Sequence, residues 1–297
     1  MKPAFSIIIF TVLSGVGFGM LFWLGLGFID QKIGTTLFFI IAFLLSTAGL
    51  LSSAFHLGNP QRFLMAFTQW RSSWLSREAI LAILALSVNA VYGFTVIFFN
   101  FHLQTIGFIG SLLALVTIFS TAMIYAQMKT VPRWNTRLTP IIFIFYALVG
   151  STIVPAITHP NAALVVPLAF AFLGLIQVYS WLAGDGQFTK DSNIKTATGL
   201  LGYGNVRLLE PPHTGSNYLM KEMVYVVAQK HRQKLRLIAL TLAIIVPFII
   251  VSIGAFSESL KTLLLVIGIS IHIIGTLLIR WLFFAEAEHV VGLYYDR

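Results

Sequence analysis

S-S-A-F-H-L-G-N-P-Q-R-F-L-M-A-F-T-Q-W-R-S-S-W-L-S-R-E, residues Ser52 to Glu78, lies between two long apolar runs and gathers one histidine, three arginines, two tryptophans and one carboxylate. His56 closes the run before it, and Gly58-Asn59-Pro60 cannot continue a helix. Ser76 is placed to N-cap the helix that follows, which puts Glu78 in that helix's first turn. A histidine and a carboxylate are thus expected at one membrane edge, where a lipid-soluble substrate meets protons from water.

Outward from this stretch the apolar runs are Phe5–Ile29, Thr35–Phe55, Ala79–Phe99, Thr105–Met128, Leu138–Ile157, Ala162–Ala183, Leu237–Phe256 and Thr262–Phe284. Each is about 20 residues or longer, enough for a helix to cross a hydrocarbon core of about 30 Å. Backbone groups in lipid must be satisfied within the segment, and the period-2 alternation of a barrel is absent. The expected fold is therefore all-α, a polytopic bundle of about eight transmembrane helices forming one integral membrane domain over residues 1–297. Composition agrees: 58% of the 297 residues are hydrophobic, 10% are charged, and the mean hydropathy is +0.89. The first run, after Met1-Lys2-Pro3, is too long for a signal-peptide core and reads as a retained span.

Eight spans place both termini on one side. Seventeen of the 19 lysines and arginines fall on that side, and only Lys32 and Lys261 on the other. The excess predicts cytoplasmic termini, an inner-membrane location and a cytoplasmic position for the Ser52–Glu78 stretch. Many of these cations are expected simply to meet anionic lipid headgroups. The opposite face has only short connections. On the terminus side, residues 184–236 make a long loop. Its second half, Tyr218 to Leu235, reads as a basic amphipathic helix. Such a helix either lies on the membrane or offers Lys221, Arg232, Lys234 and Arg236 to a soluble partner.

Taken singly, His56 at a helix C-terminus and Glu78 near a helix N-terminus are each explained by the helix dipole. Together, in a short loop rich in Arg, Trp and Ser, they look like a site. A histidine can hydrogen-bond a quinone carbonyl, and a carboxylate at the rim can pass its proton to water. Diheme ligation needs paired histidines at matching depth, whereas only His56 and His272 lie in or at the end of a span. With no cysteine, the chain supplies no thiolate for an iron–sulfur cluster. No metal site and no nucleic-acid partner is expected. All ten acids fall at span ends or in loops, which argues against an ion carrier but leaves a secondary transporter of a small neutral solute as the alternative.

Three blocks carry a resemblance: H-L-G-N-P-Q-R at His56–Arg62, W-R-S-S-W-L-S-R-E at Trp70–Glu78, and Y-A-Q-M-K-T-V-P-R-W-N-T at Tyr125–Thr136. They resemble the membrane anchor subunit of dimethyl sulfoxide reductase and its relatives. The resemblance implies eight helices, no cofactor held by the chain, reaction with quinone or quinol, and attachment of an iron–sulfur subunit and a molybdopterin catalytic subunit. It implies quinone binding by His56 and proton transfer by Glu78, with Arg71 and Arg77 orienting the quinone or a carboxylate. Trp70 and Trp74 are either part of that site or interfacial anchors, one helical turn apart if that piece is helical. The segment Leu209–Lys221, L-E-P-P-H-T-G-S-N-Y-L-M-K, resembles the branch that serves membrane-bound sulfite dehydrogenases.

Overall fold

Among the described residues of the computed structural model, eight helices are long and apolar enough to cross a membrane: Phe5–Gly25, Gly34–Ala54, Trp74–Phe99, Gln104–Ala126, Leu138–Thr158, Ala162–Gly184, Arg232–Ala255 and Lys261–Tyr294. They are called the first to eighth spans below. The structure describes residues 1–29, 32–54, 60–159, 161–210, 223, 230–257 and 259–295. No strand occurs among these residues. Large apolar side chains such as Leu37, Leu168 and Phe256 point outward, as expected where lipid rather than water covers the surface.

Small residues bring the helices close. A β-carbon on Gly25 would come within 2.4 Å of the Gly107 carbonyl oxygen, so the first and fourth spans meet with backbones nearly touching. The seventh and eighth spans do the same at Gly275, where a β-carbon would stand 2.2 Å from the Ala243 nitrogen. Two apolar clusters result. One gathers Phe18, Leu21, Leu24, Tyr92 and Val131. The other gathers Tyr146, Phe170, Leu173 and Leu282. The fifth and eighth spans contribute to both.

Two spans are interrupted, each just before a proline. The fifth is two helices, Leu138–Gly150 and Ile153–Thr158. Pro155 has no N–H for the Ser151 carbonyl, and the hydroxyls of Ser151 and Thr152 turn back to Ala147 and Val149 carbonyls at 2.7 Å each. The seventh contains a π-turn at Thr241–Ile245 ahead of Pro247. Pro247 leaves the Ala243 carbonyl without its helical donor, and His272 Nδ1 of the eighth span donates to it instead. His272 is buried and stacks on Tyr146, so it is a structural hydrogen-bond donor.

Two expected boundaries move. The third span begins at Trp74 with Ser73 as its N-cap, and Ser76 is buried inside the helix. Glu78 consequently lies past the first turn. Trp70 sits in the turn before this helix, so Trp70 and Trp74 do not share a helical face. The seventh span begins at Arg232, five residues ahead of its apolar run, because Arg232 and Arg236 find carboxylates within the protein. Of the amphipathic helix expected at Tyr218–Leu235, only Met223 and residues 230–235 fall among the described residues; Met223 is helical, and Arg232–Leu240 forms a helix.

Candidate functional site

Glu78 faces inward from the third span and is 3% exposed. Its carboxylate accepts a hydrogen bond from the Thr121 hydroxyl of the fourth span. Thr121 Oγ1 also stands 3.1 Å from the Thr117 carbonyl oxygen. A hydroxyl has one proton to give and two lone pairs to receive with. When Glu78 is ionised, Thr121 donates to it. When Glu78 is protonated, Thr121 accepts from it and turns its own hydrogen onto Thr117. The pair therefore satisfies both protonation states of the acid without moving a heavy atom.

Arg71 and Arg77 are held together but apart from Glu78. Arg77 donates from Nε to the Trp70 carbonyl at 2.9 Å and from Nη2 to the Arg71 carbonyl at 2.7 Å. Its guanidinium lies 4.4 Å from the centre of the Trp74 ring, and that of Arg71 lies 5.3 Å from the Trp70 ring. With Ile80 and Leu81, the side chains of Trp70, Arg71 and Arg77 line an open, largely apolar groove at the rim. Consecutive residues on a helix differ by about 100° in direction, so Arg77 looks to this groove while Glu78 looks into the bundle. His56 and Lys221, expected in quinone binding and partner docking, lie outside the described residues.

A residue counted above only as a terminus-side cation, Arg280, proves to be the most unusual group in the bundle. It is 2% exposed, and its guanidinium lies 3.5 Å from the centre of the Phe143 ring. Two of its donors, Nε and Nη1, meet no acceptor among the described residues. A small cavity between the first, fourth, fifth and eighth spans is lined by Thr11, Ser14, Thr121, Tyr146, Thr276 and Arg280, among others. A second, toward the terminus side, is lined in part by Arg133, Thr139, Gln177, Ser180, Arg280 and Glu286. Arg280 belongs to both. Its position within the eighth apolar run was a legible signal, because an ionisable residue inside a span marks a candidate site.

At the outer end of the second cavity five charged residues close a network across the ends of four spans. Glu286, buried, accepts from Arg133 at 2.6 Å and from Arg236 at 2.8 Å through both Nε and Nη2. Asp185 accepts from Arg133 at 3.0 Å, from Arg232 at 3.4 Å and twice from Arg236 at 2.7 Å. The Arg236 hydrogen bonds, joined by those of Arg133, hold Asp185 well below the usual carboxylate range against the opposing effect of burial. Burial pulls Arg133 below its ordinary value, and the Glu286 charge works against that pull. Arg236, expected on a docking surface, is thus consumed inside the protein, and Arg232 is partly so. Lys234 lines an open groove with Lys230, His231 and Glu288.

The block Tyr125–Thr136 builds the floor of this network. Val131 and Trp134 are buried, Trp134 Nε1 donates to the Phe283 carbonyl at 2.9 Å, and Val290 N donates to the Thr130 carbonyl at 3.0 Å. Arg133 is thereby pointed at both carboxylates.

Comparison with known proteins places the chain. Residues 1–285 match the family described as DMSO reductase anchor subunit (DmsC). A sulfite dehydrogenase subunit of Allochromatium vinosum is 28% identical over 332 aligned positions, which take in 100% of this chain and 99% of that protein.

Proposed function

Because the chain belongs to the DMSO reductase anchor subunit family, we propose that it is the quinone-reactive membrane subunit of a molybdopterin iron–sulfur oxidoreductase. Quinol oxidation yields two electrons and two protons, and quinone reduction consumes them. The chain contains no cysteine to hold a cluster, so the electrons pass directly between quinone and an iron–sulfur cluster of a partner subunit. The protons are this chain's task. The observation that carries the reading is the inward-facing Glu78 with Thr121, a pair able to hold and release one proton in a buried setting.

In this reading His56 donates a hydrogen bond to a quinone oxygen, and the groove of Trp70, Arg71 and Arg77 is the lipid-side approach for the ring. The soluble subunits dock on the terminus side through the long loop, with Lys221 and Lys234 as the cations that meet them, Lys234 from an open groove. The positive-inside excess supports a cytoplasmic position for that side, with the bundle in an inner membrane. The similarity to a sulfite dehydrogenase protein supports sulfite as the substrate of the whole complex. The two cavities beside Arg280 are water-sized and lend nothing to a solute transporter.

Glu78→Gln tests the reading. The complex should assemble and keep its activity with an artificial dye that exchanges electrons with the soluble subunits. Turnover with quinone should fall by about 100-fold or more, the usual contribution of a positioned acid–base group. Undiminished quinone turnover would remove Glu78 from the mechanism.

A further inference from the structure

Glu78 is buried, so its proton needs a path to water that the side chain alone does not provide. Two cavities inside the bundle bear on where such a path runs. Thr121, which bonds Glu78, also lines the first cavity. That cavity leaves about 10 Å³ for the centre of a water molecule, and the second leaves about 40 Å³. About 10–15 Å³ admits one water, provided polar partners surround it. The partners are present and, among the described residues, unspent: Tyr146 Oη of a residue lining the first cavity, Gln177 Oε1 of one lining the second, and Nε and Nη1 of Arg280, which lines both. Burying such groups without a partner costs roughly 1–3 kcal/mol each, and more for a charge. A quinone ring is far larger than either space, whereas a water molecule is of the size each admits and has the donors and acceptors these four atoms call for.

We infer that the two cavities flanking Arg280 bind a short chain of water, and that this chain is the proton route between Glu78 and the face where Arg133, Asp185 and Glu286 lie. The inference rests on the reading of Glu78 as the proton-transfer group. Only O–H bonds break and form along the route, and electrons leave separately to the partner's cluster. Arg280 stays charged and passes no proton itself. Its positive charge disfavours a passing hydronium but favours the equivalent movement of a proton hole in the opposite direction. The guanidinium thus sets how the proton moves, and the network beyond it supplies the exit.

The holo-complex carrying Tyr146→Phe, Gln177→Leu or Arg280→Gln tests the route, with a short-chain quinone as the probe. In each variant kcat with quinone should fall by about tenfold, within the reach of lost proton transfer. KM for quinone should not change, and the slowing in D2O should grow. Dye activity, which bypasses the membrane site, reports assembly. Tyr146→Phe removes one oxygen atom and keeps the test alive if Arg280→Gln fails to assemble. X-ray radiolytic labelling of the unaltered complex should oxidise Tyr146 rapidly, because the hydroxyl radical forms from bound water beside it. Normal kcat and isotope effect in all three variants, with Glu78→Gln inactive, would overturn the route and leave the proposed function standing. A raised KM would mean that these residues hold the ring instead, and would also overturn it. An active Glu78→Gln complex would instead sink the underlying reading.

Discussion

Replacing Glu286 with glutamine should destabilise the detergent-purified protein by about 3–5 kcal/mol, the range for removing one member of a buried ion pair. The geometry sets that expectation. The Glu286 side chain is 1% exposed and neutralises Arg133 and Arg236 through three contacts of 2.6 to 2.8 Å. Glutamine keeps one acceptor oxygen but presents an NH2 group to guanidinium donors. Two largely enclosed cations, each with 13% of its side chain exposed, would then depend on Asp185, which already serves Arg232. Asp185→Asn removes the same formal charge from the same network, yet its side chain is 33% exposed. Water can replace part of what is lost there, and the cost should be about 1 kcal/mol. Equilibrium unfolding in mixed micelles, followed by tryptophan fluorescence, measures both. A double-mutant cycle with Arg236→Gln should show strong coupling at Glu286, since removing both partners leaves less charge stranded. Equal costs at the two acids, or a larger one at Asp185, would refute the reasoning from burial.

Two further outcomes follow from the same structure. The depressed Asp185 pKa contributes stability that is fully present above the unfolded carboxylate value of about 4 and is lost as pH falls through the folded value. Thermal unfolding against pH should therefore show an acid-side loss beginning below about pH 4 that Asp185→Asn diminishes. Gly275→Ala would set a β-carbon 2.2 Å from the Ala243 nitrogen and 2.4 Å from its α-carbon, so the seventh and eighth spans must separate. It should cost about 1–3 kcal/mol or more and lower the yield of folded protein, whereas Gly34→Ala, with nothing within 4 Å, should not. An equally stable Gly275→Ala protein would contradict the close approach.

The spans themselves were legible in the sequence, because insertion of a helix into lipid depends on the apolar content and length of that segment alone. Leu138–Thr158 and Ala162–Gly184 lie where hydropathy puts them even though proline interrupts the first. The nearness of Glu78 to a span end was legible too. Its depth was not, since the start of that helix is set by the extended backbone at Ser73 and not by the more conspicuous Ser76. Arg280 could be suspected from its place inside an apolar run, but nothing local gives it two cavities to line. The partners that matter most are distant in the chain: Arg133 and Glu286 are 153 residues apart, and His272 and Ala243 are 29 apart. Which side chains meet depends on how far each helix is rotated about its own axis. That rotation is decided by backbone contacts such as Gly25 on Gly107 and Gly275 on Ala243, which exist only once the bundle has assembled.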